Sequence, residues 1–290
     1  MSQNPENGRS SDGLRAAIDE IDAGIHEALI QRAQAEADLA VARSVAGEYI
    51  SSYSPDREAE VMRNMVERHR GNLPLVIVEH LWRDFIAAGA GLETNHAIHL
   101  DGGAELIEML DLARFYFGFS VELIPGSDAS DVVGTVMASE KDLGLVTLTD
   151  RAELPWWRGL SDSGAQIRAR LPFVVMAERP ADLPALVLAK SESLIDNADI
   201  AVYDARWSDV LPGRLMDQGM EVLSFFRSAN GVDALLAVSG DLPEEEVLNA
   251  CAEAGAAPVV LRRVGGYAAP IDGDSDPEDV FDPKDEGSQG

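Results

Sequence analysis

Apolar residues recur through residues 14–42 at alternating spacings of four and three: Leu14, Ile18, Ile21, Ile25, Ala28, then Ala35, Leu39 and Ala42, with Arg32 in the gap. This is the period of an amphipathic helix. It predicts a helix from about Asp12, as N-cap, to about Ala46, stopped by Gly47. Ser54 and Pro55 then offer the N-cap and first position of a second helix, which runs to about Arg70 and ends at Gly71. Asn72 and Pro74 open a third, to about Glu93, carrying Val76, Ile77, His80, Leu81 and Phe85. A helix of ~35 residues is about 50 Å long. Two shorter helices of the same chain cannot cover it, so its stripe predicts a homodimer.

The pattern changes past residue 100. Strand-like runs occur at Phe119–Ile124, Leu143–Thr147, Pro172–Met176, Ala185–Leu188, Ile200–Tyr203, Met220–Phe226, Ala234–Val238 and Pro258–Arg263. Helical stretches lie between several of them: Glu105–Tyr116, Ser130–Ser139, Trp207–Gln218 and Pro243–Ala254. This reads as α/β. The expected fold class is therefore multi-domain, α followed by α/β. Residues 12–94 form a helical domain and residues 100–271 an α/β domain. A polar tail, 1–11, and an acidic tail, 272–290, have little to bury and are expected to be disordered.

Charge narrows the partners. The 290-residue chain is 46% hydrophobic, enough for sizeable cores, and carries a formal net charge of −28. Nucleic acid and anionic membrane surfaces both need a basic footprint, so neither is expected. Cys251 is the only cysteine, which excludes an intrachain disulfide. The five histidines, including His96 and His99, show no ligand spacing, so no metal is expected. The N-terminus has no apolar signal core, and the run Leu73–Val78 is too short to span a bilayer. A soluble cytoplasmic protein is the expectation.

Against this acidic background two arginines stand out. Arg32 occupies a stripe position where Leu or Ile is expected, and Arg43 lies eleven residues further on. Eleven steps of about 100° return to within about 20° of the start, so both guanidinium groups point the same way, about three turns apart. A buried arginine is costly unless paired. Arg32 either pairs with a neighbour such as Glu36 or meets an anionic ligand. The phase match with Arg43 favours a ligand with two carboxylates, held in a helical bundle.

Residues 14–93 resemble the all-helical chorismate mutases of the AroQ class. The likeness rests on Leu14-Arg15-x-x-Ile18-Asp19-x-Ile21-Asp22, Gln31-Arg32, Arg43 and Tyr53-x-Pro55-x-Arg57-Glu58. The family implies an intertwined dimer of three-helix chains that rearranges chorismate to prephenate. That step needs no nucleophile, metal or redox cofactor. By position, the resemblance implies that Arg32 binds one carboxylate and Arg15 of the partner subunit the other. Arg43 would sit at the ether oxygen, where many relatives have lysine, with Glu93 also facing that oxygen. Glu58 would accept a hydrogen bond from the ring hydroxyl, supported by Arg57. Ser54 falls where some members carry aspartate. Gly89 falls where relatives often carry serine, so that side-chain contact is missing or replaced.

The second half resembles, more weakly, the prephenate dehydratase region of bifunctional enzymes. The cues are Glu140-Lys141-Asp142-Leu143-Gly144-Leu145-Val146 and the ending Val264-Gly265-Gly266-Tyr267, similar to the last strand of the regulatory domain. The Thr-Arg-Phe motif of dehydratase chemistry is lacking; the nearest string is Ala169-Arg170-Leu171-Pro172-Phe173. The resemblance implies a chorismate mutase with a degenerate extension. The alternatives are a non-catalytic sensor of aromatic amino acids and a bifunctional chorismate mutase–prephenate dehydratase.

Overall fold

The computed structural model describes residues 10–46, 53–93, 96–190, 198–208, 215–255 and 257–274. The chain divides into two compact units, Met1–Ser51 and Ser52–Gly290. The first contains α1 (Ser11–Ala46). Its cap is Ser10 rather than the expected Asp12: the Gly13 amide donates to Ser10 Oγ at 3.2 Å. Asp12 instead falls in the first turn, where a negative charge suits the helix dipole. No residue of α1 is buried within the single chain, and Leu14, Ile18, Ile21, Ile25 and Leu39 are about half exposed. The expected stop at Gly47 lies outside the described residues.

The second unit opens with α2 (Pro55–Arg68) and α3 (Leu75–Glu93). Then follow β1 (Ala97–Leu100), α4 (Leu106–Phe117), β2 (Glu122–Pro125), α5 (Ala129–Ala138), β3 (Leu143–Thr147), β4 (Ala165–Leu171) and β5 (Val174–Val175). The chain continues through β6 (Ala185–Lys190), β7 (Ile200–Trp207), β8 (Glu221–Ser228), β9 (Gly231–Ser239), α6 (Glu244–Glu253), β10 (Val260–Tyr267) and β11 (Ile271–Asp272). Among the described residues nine strands form one sheet in the order β2-β1-β3-β6-β4-β10-β7-β9-β8, and β11 pairs with β5 apart from it. β2, β1 and β3 run parallel, joined by helical crossovers; β7, β8 and β9 form antiparallel pairs.

Period-two alternation builds the layers. On β3, Val146 packs with α5 and Trp157, while Leu143 and Leu145 face α4. β6 repeats this, with Leu186 and Leu188 on one face and Ala185, Val187 and Ala189 on the other. Both faces are covered, which is why β3 and β6 read as continuous apolar runs. Gly144 on β3 is forced by this packing, since a Cβ there would lie 2.6 Å from a Val132 methyl. On the other half of the sheet, α6 packs Val247 and Cys251 against β7 and β9. A fourth cluster joins Ala59, Met62 and Met65 of α2 and Val78 of α3 to Phe173 and Val174.

Several expectations are corrected. The described ends of the expected helix Trp207–Gln218 are not α-helical: β7 runs through Trp207, and Met216–Gln218 is a single 3-10 turn; 209–214 lie outside the described residues. Residues 201–205 are all buried, the charged Asp204 included, and the strand extends past the expected Tyr203 to Trp207. Phe119 lies before β2 and is exposed. Pro172–Met176 yields only the two-residue β5. β1 and β4 were not expected. At the C-terminus, ordered pairing continues to Asp272 and the Gly273 amide donates to Val175 O at 2.8 Å, inside the stretch assigned to an acidic tail. Residues 1–9 and 275–290, which hold most of the two expected tails, lie outside the described residues.

Candidate functional site

The residues singled out by sequence divide between the two units. Arg15, Arg32 and Arg43 all lie on α1. Arg32 is half-buried and bridges to Glu36 at 2.8 Å, one turn further on. Arg15 is exposed and pairs with Asp12 at 3.3 Å. Arg43 falls in the last turn, where a cation suits the helix dipole. The eleven-residue interval on an unbroken helix keeps Arg32 and Arg43 in phase.

The second unit carries Ser54, Arg57, Glu58 and Glu93. Ser54 is the N-cap of α2 by position, but its side chain makes no capping hydrogen bond. Arg57 does not support Glu58. Neighbours in a helix point about 100° apart, and Arg57 faces outward to pair with Glu60 at 2.6 Å. Glu58 faces inward and accepts from Arg83 Nη1 of α3 at 3.0 Å. Arg83 is therefore the residue that sequence reasoning missed. Its signal was available: a lone arginine among Val76, Ile77, Leu81 and Phe85 needs a carboxylate partner. Gly89 is half-buried, Glu93 is the last residue of α3, and the Glu93 side chain lies outside the described residues.

Glu58 and Arg83 belong to a buried charge chain. Glu79, one turn before Arg83, is fully buried and lies 3.9 Å from Arg83 Nε. Its other oxygen meets Arg179 Nη1 at 3.2 Å. Tyr116 of α4 donates to Glu79 Oε1 at 3.4 Å and accepts from the Phe173 amide at 3.1 Å and Arg179 Nη2 at 3.2 Å. That uses the full capacity of a hydroxyl, one donor and two acceptors. Arg83 stacks on the Tyr116 ring at 4.7 Å, and Arg179 on the Phe115 ring at 5.1 Å. Arg179 also donates to Val174 O. Two arginines thus balance two glutamates away from water.

Burial sets the titration of this chain. It pushes the Glu58 carboxyl above the ordinary glutamate range, and the Arg83 charge opposes the rise. Glu79 is raised by the same cause, against Arg83 and Arg179. Burial, with Glu79 beside it, pushes the Tyr116 phenol up to about 12, so it stays a donor. A cavity of about 20 Å³ beside Glu58 is lined by Tyr53, Arg83, Arg168, Arg170 and Phe173 among others. That is room for about one water.

A larger cleft, about 380 Å³, lies at the carboxyl ends of β1 and β3, beside the starts of α4 and α5. This is where open α/β sheets place ligands. Asp101, Glu105, Asp128 and Glu153 line it against Arg151. Burial raises the Asp101 carboxyl, against hydrogen bonds from the Gly103 and Thr147 amides. Arg170, on β4, is not among the lining residues and is held by Glu221 at 2.8 Å. Among the described residues no three His, Cys, Asp or Glu side chains converge as a metal site. No helix there is long and apolar enough to cross a membrane.

Residues 14–94 match the family model of chorismate mutase type II, so this part of the chain is a domain of that family, an isomerase. No curated protein matches the sequence. Three solved structures are similar to the chain at low identity. One is GqqA, titled a novel type of quorum quenching acylase: 12% identity, 60% of this chain and 95% of that one covered, TM-score 0.39. Another is the prephenate dehydratase of Arthrobacter aurescens in complex with L-Phe: 12% identity, 60% and 90% covered, TM-score 0.37. The third is the prephenate dehydratase of Streptococcus mutans: 13% identity, 61% and 99% covered, TM-score 0.35.

Proposed function

We propose that this protein, whose residues 14–94 form a chorismate mutase type II domain, catalyses the rearrangement of chorismate to prephenate in the synthesis of phenylalanine and tyrosine. The observation that carries the reading is the extent of the family match, which spans Arg15, Arg32, Arg43, Glu58 and Glu93. The rearrangement is pericyclic. Catalysis consists of holding the substrate folded and stabilising charge on the breaking ether bond. Chorismate carries two carboxylates, and guanidinium forks match them bidentately. In this reading Arg32 binds one carboxylate and Arg15 of the partner subunit the other. Arg43 stabilises the ether oxygen, with Glu93 in its protonated form beside that oxygen, and Glu58 accepts from the ring hydroxyl. Ser54 contacts the substrate, and Arg57 reaches it by turning from Glu60. Arg57 does so on its own account, since it is Arg83 that holds Glu58.

A homodimer forms part of the proposal. Arg15 and Arg32 are seventeen residues apart, about 100° out of phase, so one helix does not converge them on one ligand. The half-exposed stripe of Leu14, Ile18, Ile21 and Ile25 supports a second copy as its cover. The helical domain is taken as 12–94 and the α/β domain as 100–271, and the enzyme as cytoplasmic. Arg32→Ala and Arg43→Ala test the site. Each should lower kcat/KM by ~10²–10³, the usual effect of removing a positioned donor to developing charge, with helicity unchanged by circular dichroism. Near-wild-type rates in both variants would remove these residues from the site.

A further inference from the structure

The structure assigns the α/β domain a role in the mutase reaction: Arg179 and Tyr116, acting through Glu79 and Arg83, hold the Glu58 carboxylate in place. Arg83, Glu79 and Arg179 are positioning residues in this scheme, which rests on the proposed role of Glu58 as acceptor from the substrate hydroxyl. Arg83 stands between two carboxylates, Glu58 at 3.0 Å and Glu79 at 3.9 Å. Arg179 meets Glu79 from the opposite side and is anchored to the backbone ahead of it through Val174 O. It therefore decides how strongly Glu79 competes for Arg83. With Arg179 in place, the shorter contact of Arg83 is to Glu58. Without it, Glu79 is an unbalanced buried charge whose nearest cation is Arg83.

The chain crosses from the helices to the α/β fold. Glu58 lies on α2, Arg83 and Glu79 on α3, Tyr116 on α4, and Arg179 follows β5. All of these but Glu58 are buried, and Glu58 is mostly so. The other charged and titratable groups near Glu58 are Tyr53, Arg168 and Arg170 around the 20 Å³ cavity and Asp56 on α2, whose charge reaches Tyr53. A change at Arg179 reaches Glu58 through Glu79 and Tyr116, both of which meet Arg83.

The scheme makes predictions of opposite sign. Glu58 acts as a carboxylate, so activity falls as it protonates at low pH. Arg179→Met leaves two glutamates sharing Arg83, which raises the Glu58 pKa. Glu79→Gln leaves two arginines with Glu58 alone, which lowers it. The double variant Glu79→Gln/Arg179→Met restores one cation to one anion. The test is chorismate consumption by the full chain from pH 5 to 9, with Glu58→Gln as reference. The acid limb of kcat/KM should move up by about one pH unit in Arg179→Met and down in Glu79→Gln, and return toward wild type in the double variant. At the foot of the limb, Arg179→Met should be about tenfold slower than wild type. A purely structural role predicts the double variant to be the worst of the three. If Arg179→Met fails to fold, Glu79→Gln carries the test, because it opens no cavity. An unmoved acid limb in Glu79→Gln, with Glu58→Gln impaired, overturns the positioning scheme alone. Full activity in Glu58→Gln overturns the Glu58 assignment and this scheme together.

Discussion

Arg83→Met should destabilise the second unit by about 3–5 kcal/mol above neutral pH, the usual loss when one partner of a buried ion pair is removed. The magnitude follows from the contacts. At an effective dielectric constant of about 20, charges 3.0 Å and 3.9 Å apart attract by roughly 5 and 4 kcal/mol. Releasing the guanidinium from burial returns several kcal/mol of that sum. What remains is the cost of two carboxylates, Glu58 and Glu79, left with Arg179 alone. Methionine keeps most of the volume against Tyr116, so little of the loss is cavity. The sign with pH is fixed by the carboxylates. Both are already raised by burial, and Arg83 is what lowers them. In the variant they rise further and take up protons on folding. The penalty is therefore complete above the raised folded values and shrinks as pH falls through them toward the unfolded value of 4.5. Urea unfolding at pH 8, 6 and 5 measures it, as a fall in midpoint at unchanged slope. A loss below about 1 kcal/mol at pH 8, or one independent of pH, would refute the buried chain.

Two further outcomes are expected. Prephenate given to the full chain should not yield phenylpyruvate at enzyme-like turnover, because Arg170 is held by Glu221 and the large cleft sets four carboxylates against one guanidinium; product detected by absorbance at alkaline pH would reverse this. Mutase activity should fall as rising pH takes the proton from Glu93, and Glu93→Gln should flatten that fall and keep substantial activity near neutral pH, since glutamine donates to the ether oxygen at every pH and a carboxylate does not; an unchanged profile would remove Glu93 from the site.

The helices were legible because their signals are local. The stripe from Leu14, the Ser54-Pro55 start and the Pro74 start give α1, α2 and α3 to within two residues at each end. β3 was legible as a short apolar run because both its faces are covered. β4 was not, although Ala165, Ile167, Ala169 and Leu171 alternate with Gln166, Arg168 and Arg170. A register shift between Ile167 and Ala169 breaks that alternation, so Ala165 and Ile167 face one layer and Ala169 and Leu171 the other. β1 is only four residues long and includes His99. Within the site, the arginines of α1 follow from helical phase. The exchange of Arg57 for Arg83 as the partner of Glu58 does not, since it depends on how α2 and α3 pack. Nothing local pairs Glu79 with Arg179, one hundred residues away.

The most direct test of the account is the rate at which the purified full chain consumes chorismate, followed as loss of its ultraviolet absorbance with prephenate as the product. The account predicts saturable turnover at least ~10⁶-fold above the uncatalysed rearrangement, the lower end of enzymatic rate enhancement, and its loss in Arg32→Ala. A rate indistinguishable from buffer, from protein that is folded and dimeric, would contradict it.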